Sequence, residues 1–387
     1  MSWRDSTLGE LTKRDGGLIQ TGPFGSQLHQ AEYETEGIPV VMPKDIADGR
    51  ISTESVARVS EQTANRLQRH KLKPRSIVLP RRGEVTKRAY IREEQDGWLC
   101  GTGCLKIELN GKHLAPEYLY YFMEQGHVTQ WLLQHAVGTT MLNLSAGIVA
   151  ALPIRYPTIK VQTAIADILS TYDDLIENNR RRMALLEDSA RLLYREWFVR
   201  LRFPGYEHTS IVDGVPQGWV NGPLETALVL QRGFDLPTQD RQHGTVPIYG
   251  STGVLGYHDK AKANAPGIVT GRSGTLGEVQ YVAEDYWPLN TSLWVKEFRR
   301  VTPLFALFLL REMDLKQFNG GASVPTLDRK SVHRVEILIP PTTLLRSFDD
   351  FAADVFEQIK NINTQNQKLR AARDLLLPRV MSGELAV

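Results

Sequence analysis

From Ile165 onward the apolar side chains fall at Ile165, Leu169, Tyr172, Ile176, Met183, Leu186, Ala190, Leu193 and Trp197, with Asn179 on the same line. The steps alternate four and three residues. A period of about 3.5 predicts a coiled-coil helix. A second line runs Phe348, Ala352, Val355, Ile359, Ile362, Asn366, Leu369, Arg373 and Leu376. Pro378 is expected to end it, because proline has no amide to donate and clashes with the preceding turn. A helix with one apolar stripe must bury that stripe. The shared register and length favour mutual antiparallel pairing over two helices each lying on its own domain. Asn179 and Asn366 sit on the seams, where a polar residue fixes register at a cost in stability. At ~1.5 Å per residue, ~36 residues make a spacer of about 50 Å.

The two lines belong to an internal repeat. Sliding the chain by 183 positions lays GTTMLNLSAGIVAALPIRYP on GASVPTLDRKSVHRVEILIP, with Gly138 on Gly321, Leu144 on Leu327 and Pro157 on Pro340. The register continues, with Ile176 on Ile359, Leu186 on Leu369 and Leu192-Leu193 on Leu375-Leu376. Weaker echoes precede it: SWRDSTLGEL against PQGWVNGPLETAL, and Gly37–Val40 against Gly244–Ile248. This period is far too long for a solenoid. It predicts a duplicated unit of globular head plus helix.

The heads, residues 1–110 and 203–300, are rich in Gly, Pro and short β-type runs: Ile77–Leu79, Leu105–Leu109, Gly267–Thr270 and Leu293–Val295. A helix is expected after each, over Pro116–Gln134 and Pro303–Gln317. The fold class is α+β: two globular domains separated by two long antiparallel coiled-coil spacer helices, an internal duplication with pseudo-two-fold character. The expected boundaries are 1–157, 158–202, 203–341 and 342–387.

Composition adds one thing. The 387 residues carry a net charge of only +2. Between Arg66 and Arg92, however, lie ten basic residues and one acid, Glu84, or +9 in 27 residues. Such a concentration suits phosphate contact, since each neutralised phosphate releases counterions. The alternative is a solvated charged face. The second head has a looser set: Arg272, Arg299, Arg300, Arg329, Lys330 and Arg334.

Several chemistries find no residues to carry them. The chain has no G-x-x-x-x-G-K-[ST] loop and no G-x-S-x-G elbow. Gly271–Gly277 (GRSGTLG) lacks dinucleotide spacing and reads as a tight loop. Cys100 and Cys104 are half a zinc site at best, so buried reduced thiols are expected, and no metal. Pro340-Pro341 follows Ile339, not the Asn or Asp of an amino-methyltransferase tetrapeptide. No nucleophile–base pair can be assembled. The N-terminus has no apolar core for a secretory signal, and no run spans a bilayer, so a cytoplasmic location is expected without membrane partners. The residues alone describe a non-catalytic, two-headed DNA reader on a helical spacer.

The motifs TGPFGSQL (21–28), GIPVVMPKDI (37–46), LPRRGEV (79–85), LSAGIVAALPIRYP (144–157) and QTAIADILSTYDDLIENNRRRMALLEDSARLLYREWF (162–198) resemble the specificity subunit of type I restriction–modification systems. So do VPIYGSTGVLGYHD, YWPLNTSLWV, SVPTLDRKSV and LLLPRVMSGEL in the second half. The resemblance covers essentially the whole chain. It implies two target recognition domains that each read one half of a bipartite double-stranded DNA sequence. It implies two modification subunits that methylate adenine with S-adenosylmethionine, and restriction subunits that use ATP and Mg. The chain itself would hold no cofactor and catalyse nothing. By position in the matching motifs, the expected DNA contacts are Ser26, Lys44, Arg81, Arg82, Lys87 and Arg88 in the first head. In the second they are Tyr249, Ser251, Arg272, Ser273, Thr275 and Lys330. Each also has a plain structural reading: Ser26 and Ser251 as turn caps, Tyr249 as core, Arg272 as an ion-pair member. The competing functions are a self-contained DNA methyltransferase, a coiled-coil adaptor without a DNA role, and a related specificity subunit paired with different nuclease subunits.

Overall fold

The computed structural model describes residues 3–387 apart from Asp48, Glu54 and Ala322. The protein is α+β, with two globular heads and two long helices, α1 (Ile159–Tyr194) and α2 (Thr342–Ser382). It divides into two compact units, Met1–Asn178 with Asn366–Val387, and Asn179–Gln365. Each unit is therefore a head plus a stretch of both helices.

In the first unit the helices run in opposite directions. Asp173 of α1 ion-pairs with Arg373 of α2, and Asn366 donates its side-chain amide to the Ile176 carbonyl at 3.4 Å. Ile165, Leu169, Ile176 and Asn366 are buried on the seam, while Leu369 and Leu376 are half-buried. Arg373 occupies its seam position by pairing with Asp173 and Glu124. In the second unit Asn179, Phe348, Ala352 and Val355 are buried, and Leu186, Leu193 and Ile359 pack against them.

The helices also lie on the heads. The residues next to the seam are as deep as the seam itself. Ala166, Leu377, Val380 and Met381 join Tyr118, Leu119 and Phe122 in the first core. Tyr194 and Phe198 join Phe305 and Phe308 in the second. Each stripe is thus widened to serve two partners, which a strict a/d pattern does not show.

Three expectations about the helices are corrected. Pro378 does not terminate α2 but lies inside it. Burial of Leu377, Val380 and Met381 holds the last turn in place despite the missing donor. The helix stops at Gly383, whose φ of 80° suits the left-handed closing residue. The helix expected over Pro116–Gln134 is two, Pro116–Phe122 and Gly126–His135, separated by an extended Gln125. Pro303–Gln317 likewise splits into Pro303–Glu312 and a 3₁₀ turn Leu315–Phe318, divided at Asp314 with φ 43°.

Both heads use one plan. In the first, the strands Leu18–Thr21, Cys104–Glu108, Ile77–Pro80 and Ala89–Tyr90 form an antiparallel sheet in that spatial order. In the second, Leu228–Arg232, Ser292–Phe298, Gly267–Gly271 and Val279–Val282 repeat it. A second small sheet carries a parallel pair in each: Ile38–Val41 with Leu99–Cys100, and Val246–Gly250 with Trp287–Pro288. This bears out the sequence echo between Gly37–Val40 and Gly244–Ile248. Cys100 and Cys104 are buried free thiols, and burial pushes Cys100 up to about 12.

Candidate nucleic-acid interface

The strand Ile77–Pro80 runs into Arg81-Arg82-Gly83, and Gly267–Gly271 runs into Arg272-Ser273-Gly274. Each tripeptide is stitched to a second loop by the same backbone bonds. In the first head the Leu144 amide donates to the Arg81 carbonyl (2.8 Å), and the Gly83 amide donates to the Leu142 carbonyl (3.0 Å). Arg82 forms an isolated bridge with Asn143. In the second, Leu327 donates to Arg272 (2.8 Å), Gly274 donates to Pro325 (2.9 Å), and Ser273 bridges Thr326. Gly83 and Gly274 sit at φ 79° and 86°, which a side chain disfavours, so the glycine is what lets the loop turn back. The second loops are the repeat's GTTMLNL and GASVPTL segments. They expose Met141 and Val324, which correspond in the repeat.

The side chains of the two arginines are held by different means. The Arg81 guanidinium lies over the Phe24 ring at 5.6 Å. Arg272 donates Nε to the Asn290 carbonyl at 2.8 Å, and burial, with Arg232 nearby, holds its pKa below the usual value.

Around this device the expected residues fall into three groups. Ser26 is exposed in the turn beside Phe24, and Arg82, Thr275 and Lys330 are also exposed. Lys330 stands at the start of the short helix Arg329–His333, capped by Asp328. Ser251, Arg272, Ser273 and Thr275 are brought together in the second head. A Cβ on Gly271 would meet the Thr275 carbonyl at 1.9 Å and that of Ser251 at 3.1 Å. Ser273, like Arg272, donates its amide to the Thr291 carbonyl.

A second group is partly engaged. Lys44 donates to the Ser55 carbonyl at 2.7 Å yet keeps an open side chain. Lys87 pairs with Glu84 across one turn. Tyr249 is half-buried, its ring edge-on to Tyr286 at 5.8 Å, and burial raises its hydroxyl pKa. The third group is Arg88 alone. Its side chain is 10% exposed and pairs with Glu124 at 3.1 Å. It also donates to the Tyr120 carbonyl and stacks over the Tyr120 ring. Arg88 builds the head.

The basic run is dispersed by the fold. Arg66 pairs with Glu32, Lys73 with Glu108, Arg75 with Glu117 and Arg92 with Asp174. Among the described residues, Arg69, Arg81 and Arg82 are the members of the run without a hydrogen bond or ion pair to an acid or amide side chain. Half of the run's ten bases pair with acids that lie outside it. Sequence reasoning missed Phe24, 56% exposed, and Tyr257, 57% exposed on the hairpin strand Gly253–His258. A lone aromatic in a Gly-rich segment was the available signal, and only its exposure distinguishes it from core.

Among the described residues no group of His, Cys, Asp and Glu is arranged to hold a metal ion. No described helix is long and apolar enough to cross a membrane.

Residues 2–188 match the family described as the type I restriction modification DNA specificity domain. The type I restriction enzyme MjaIX specificity subunit of Methanocaldococcus jannaschii is 24% identical, over 92% of this chain and 88% of its own length. The HindI specificity subunit of Haemophilus influenzae is 20% identical, over 76% of this chain and 83% of its own. The crystal structure of the type I S subunit from M. genitalium superposes with a TM-score of 0.55 at 17% identity, covering 98% of this chain and 96% of that one. That superposition gives the fold independently of the sequence matches. Duplicated heads, paired helices and whole-length relatives agree: residues 2–188 match the type I restriction modification DNA specificity domain, and the chain is similar over most of its length to specificity subunits of type I restriction enzymes.

Proposed function

We propose that each head reads one half of a bipartite double-stranded DNA sequence and that the helices carry the subunits that act on it. Two modification subunits would bind, one per repeat, and methylate adenine with S-adenosylmethionine. Restriction subunits would add cleavage driven by ATP and Mg. The chain contributes recognition and no bond-making step. The observation that carries this reading is the repeated head with its Arg-X-Gly loop stitched to a second loop. It supplies the same mount twice, while the exposed residues on it differ. Different residues on one mount are what two different half-sites require.

Sequencing of methylated adenines in cells with and without this chain tests the reading. A bipartite motif that disappears with the chain is expected. Exchange of residues 1–157 for those of a relative should change one half of that motif and leave the other. A change in both halves, or methylation by the purified chain alone with S-adenosylmethionine, would overturn it.

A further inference from the structure

We propose that Arg81 and Arg272 are a matched pair of phosphate anchors, one in each head, that hold the DNA backbone without reading bases. The inference rests on the DNA-binding reading above and goes beyond it by dividing anchoring from reading.

Placing Arg81 on Arg272 puts Gly83 on Gly274 and Val85 on Leu276, both of the latter buried. The backbone bonds from Leu144 and Leu327 to the two arginine carbonyls are equal at 2.8 Å. The neighbours differ: Arg82 stands against Ser273, Thr86 against Gly277 and Lys87 against Glu278. What is kept is therefore the turn, its buried footing and one guanidinium. What changes is the side chains at these neighbouring positions.

A guanidinium carried on the same backbone mount in both heads is suited to a feature that both half-sites share. The feature that every half-site shares is the phosphodiester backbone. Arginine suits it, since its planar fork of donors matches phosphate oxygens and its charge is permanent. Both side chains are pre-positioned by contacts that spend no charge: Phe24 supports the face of Arg81, and the Asn290 carbonyl takes one Nε–H of Arg272. The buried Nε of Arg81 has no hydrogen-bond partner among the described residues. Among the described residues neither arginine forms an ion pair, whereas Arg75, Arg88 and Arg92 all do. Discrimination then falls to the residues that differ, such as Arg82 against Ser273.

The test uses the complex assembled with its modification subunits and a fluorescently labelled duplex pool of randomised sequence. Anisotropy gives affinity across a salt series, and sequencing of the bound fraction gives the preferred motif. Arg81→Gln and Arg272→Gln should each weaken binding on the order of tenfold and flatten the log K against log salt slope by about 1. The double variant should flatten it by about 2, and the bound motif should stay the same in both halves. Arg81→Lys and Arg272→Lys should restore most of the slope. A motif that relaxes in one half would overturn the proposal, because that arginine then reads a base. An unchanged slope would overturn it as well. Loss that lysine does not restore would also overturn it, since the arginine then only supports the loop. If the unaltered complex shows no salt-dependent binding, the DNA reading itself falls, and the anchors with it.

Discussion

Two arginines six positions apart, Arg82 and Arg88, show how a side chain's partner decides its work. Arg88 is enclosed by Glu124, the Tyr120 carbonyl and the Tyr120 ring. Removing Arg88 takes away one of Glu124's two cationic partners, the other being Arg373, and empties the space over the Tyr120 ring. Arg88→Ala should therefore lower unfolding stability by about 2 kcal/mol in a denaturant titration. Arg82 is exposed, so Arg82→Ala should stay within about 0.5 kcal/mol of the parent while relaxing the sequence preference of the assembled complex in one half of its motif. A titratable residue gives a second expectation. Asp349 of α2 has its pKa raised to about 6 by burial, against the hydrogen bond from Thr302. Its folded value lies above its unfolded one, so the native state binds the proton more tightly. Stability from this site is fully present below about pH 4 and is lost as pH rises towards 6. Asp349→Asn should raise the melting temperature at pH 8 and have little effect at pH 4. A larger gain at the acid end would contradict the assignment.

At the scale of elements, each long helix meets the other helix and a head at once. Phe348 marks the place in the second unit. It is 0% exposed and touches Tyr194, Trp197, Phe198 and Phe308 through ring contacts. Phe348→Ala should cost about 3–5 kcal/mol, by lost transfer energy plus the cavity left behind. Chemical denaturation of the full chain measures it. The apolar period made the helices legible, because a 3.5-residue line is unlike any strand or loop pattern. Their ends were not legible. Pro378 is a stop signal locally, and it loses to the burial of the side chains around it. The breaks at Gln125 and Asp314 were hidden for the converse reason, since apolar residues continue on both sides of each.

At the scale of the whole molecule, each unit is built from pieces distant in the sequence. The first head's core includes Leu377, Val380 and Met381, and the second's includes Phe348, Ala352 and Val355. Deletion of residues 342–387 should therefore destabilise both heads, not the second alone. Limited proteolysis of the truncated chain should cut within 1–157 as well as within 203–341. A first head that stays resistant would show that it folds without α2. The net charge of +2 carries the same lesson. It conceals pairs such as Arg66–Glu32, Arg75–Glu117 and Arg92–Asp174, each neutral and each joining segments far apart in the chain.

The amino-acid sequence by itself determined the duplication, the α+β class, the two long helices and their seam. All of these are written in spacing, and spacing survives without coordinates. Tertiary structure decided which charges remain available, because an ion pair depends on which acid folds against which base. It turned Arg88 inward, exposed Phe24 and Tyr257, and brought Arg81-Arg82-Gly83 and Arg272-Ser273-Gly274 onto matching second loops. The second loops were visible in the repeat at a slide of 183. The arginine loops lie at a different offset, and backbone hydrogen bonding, to which one-dimensional spacing is blind, is what showed them to be equivalent.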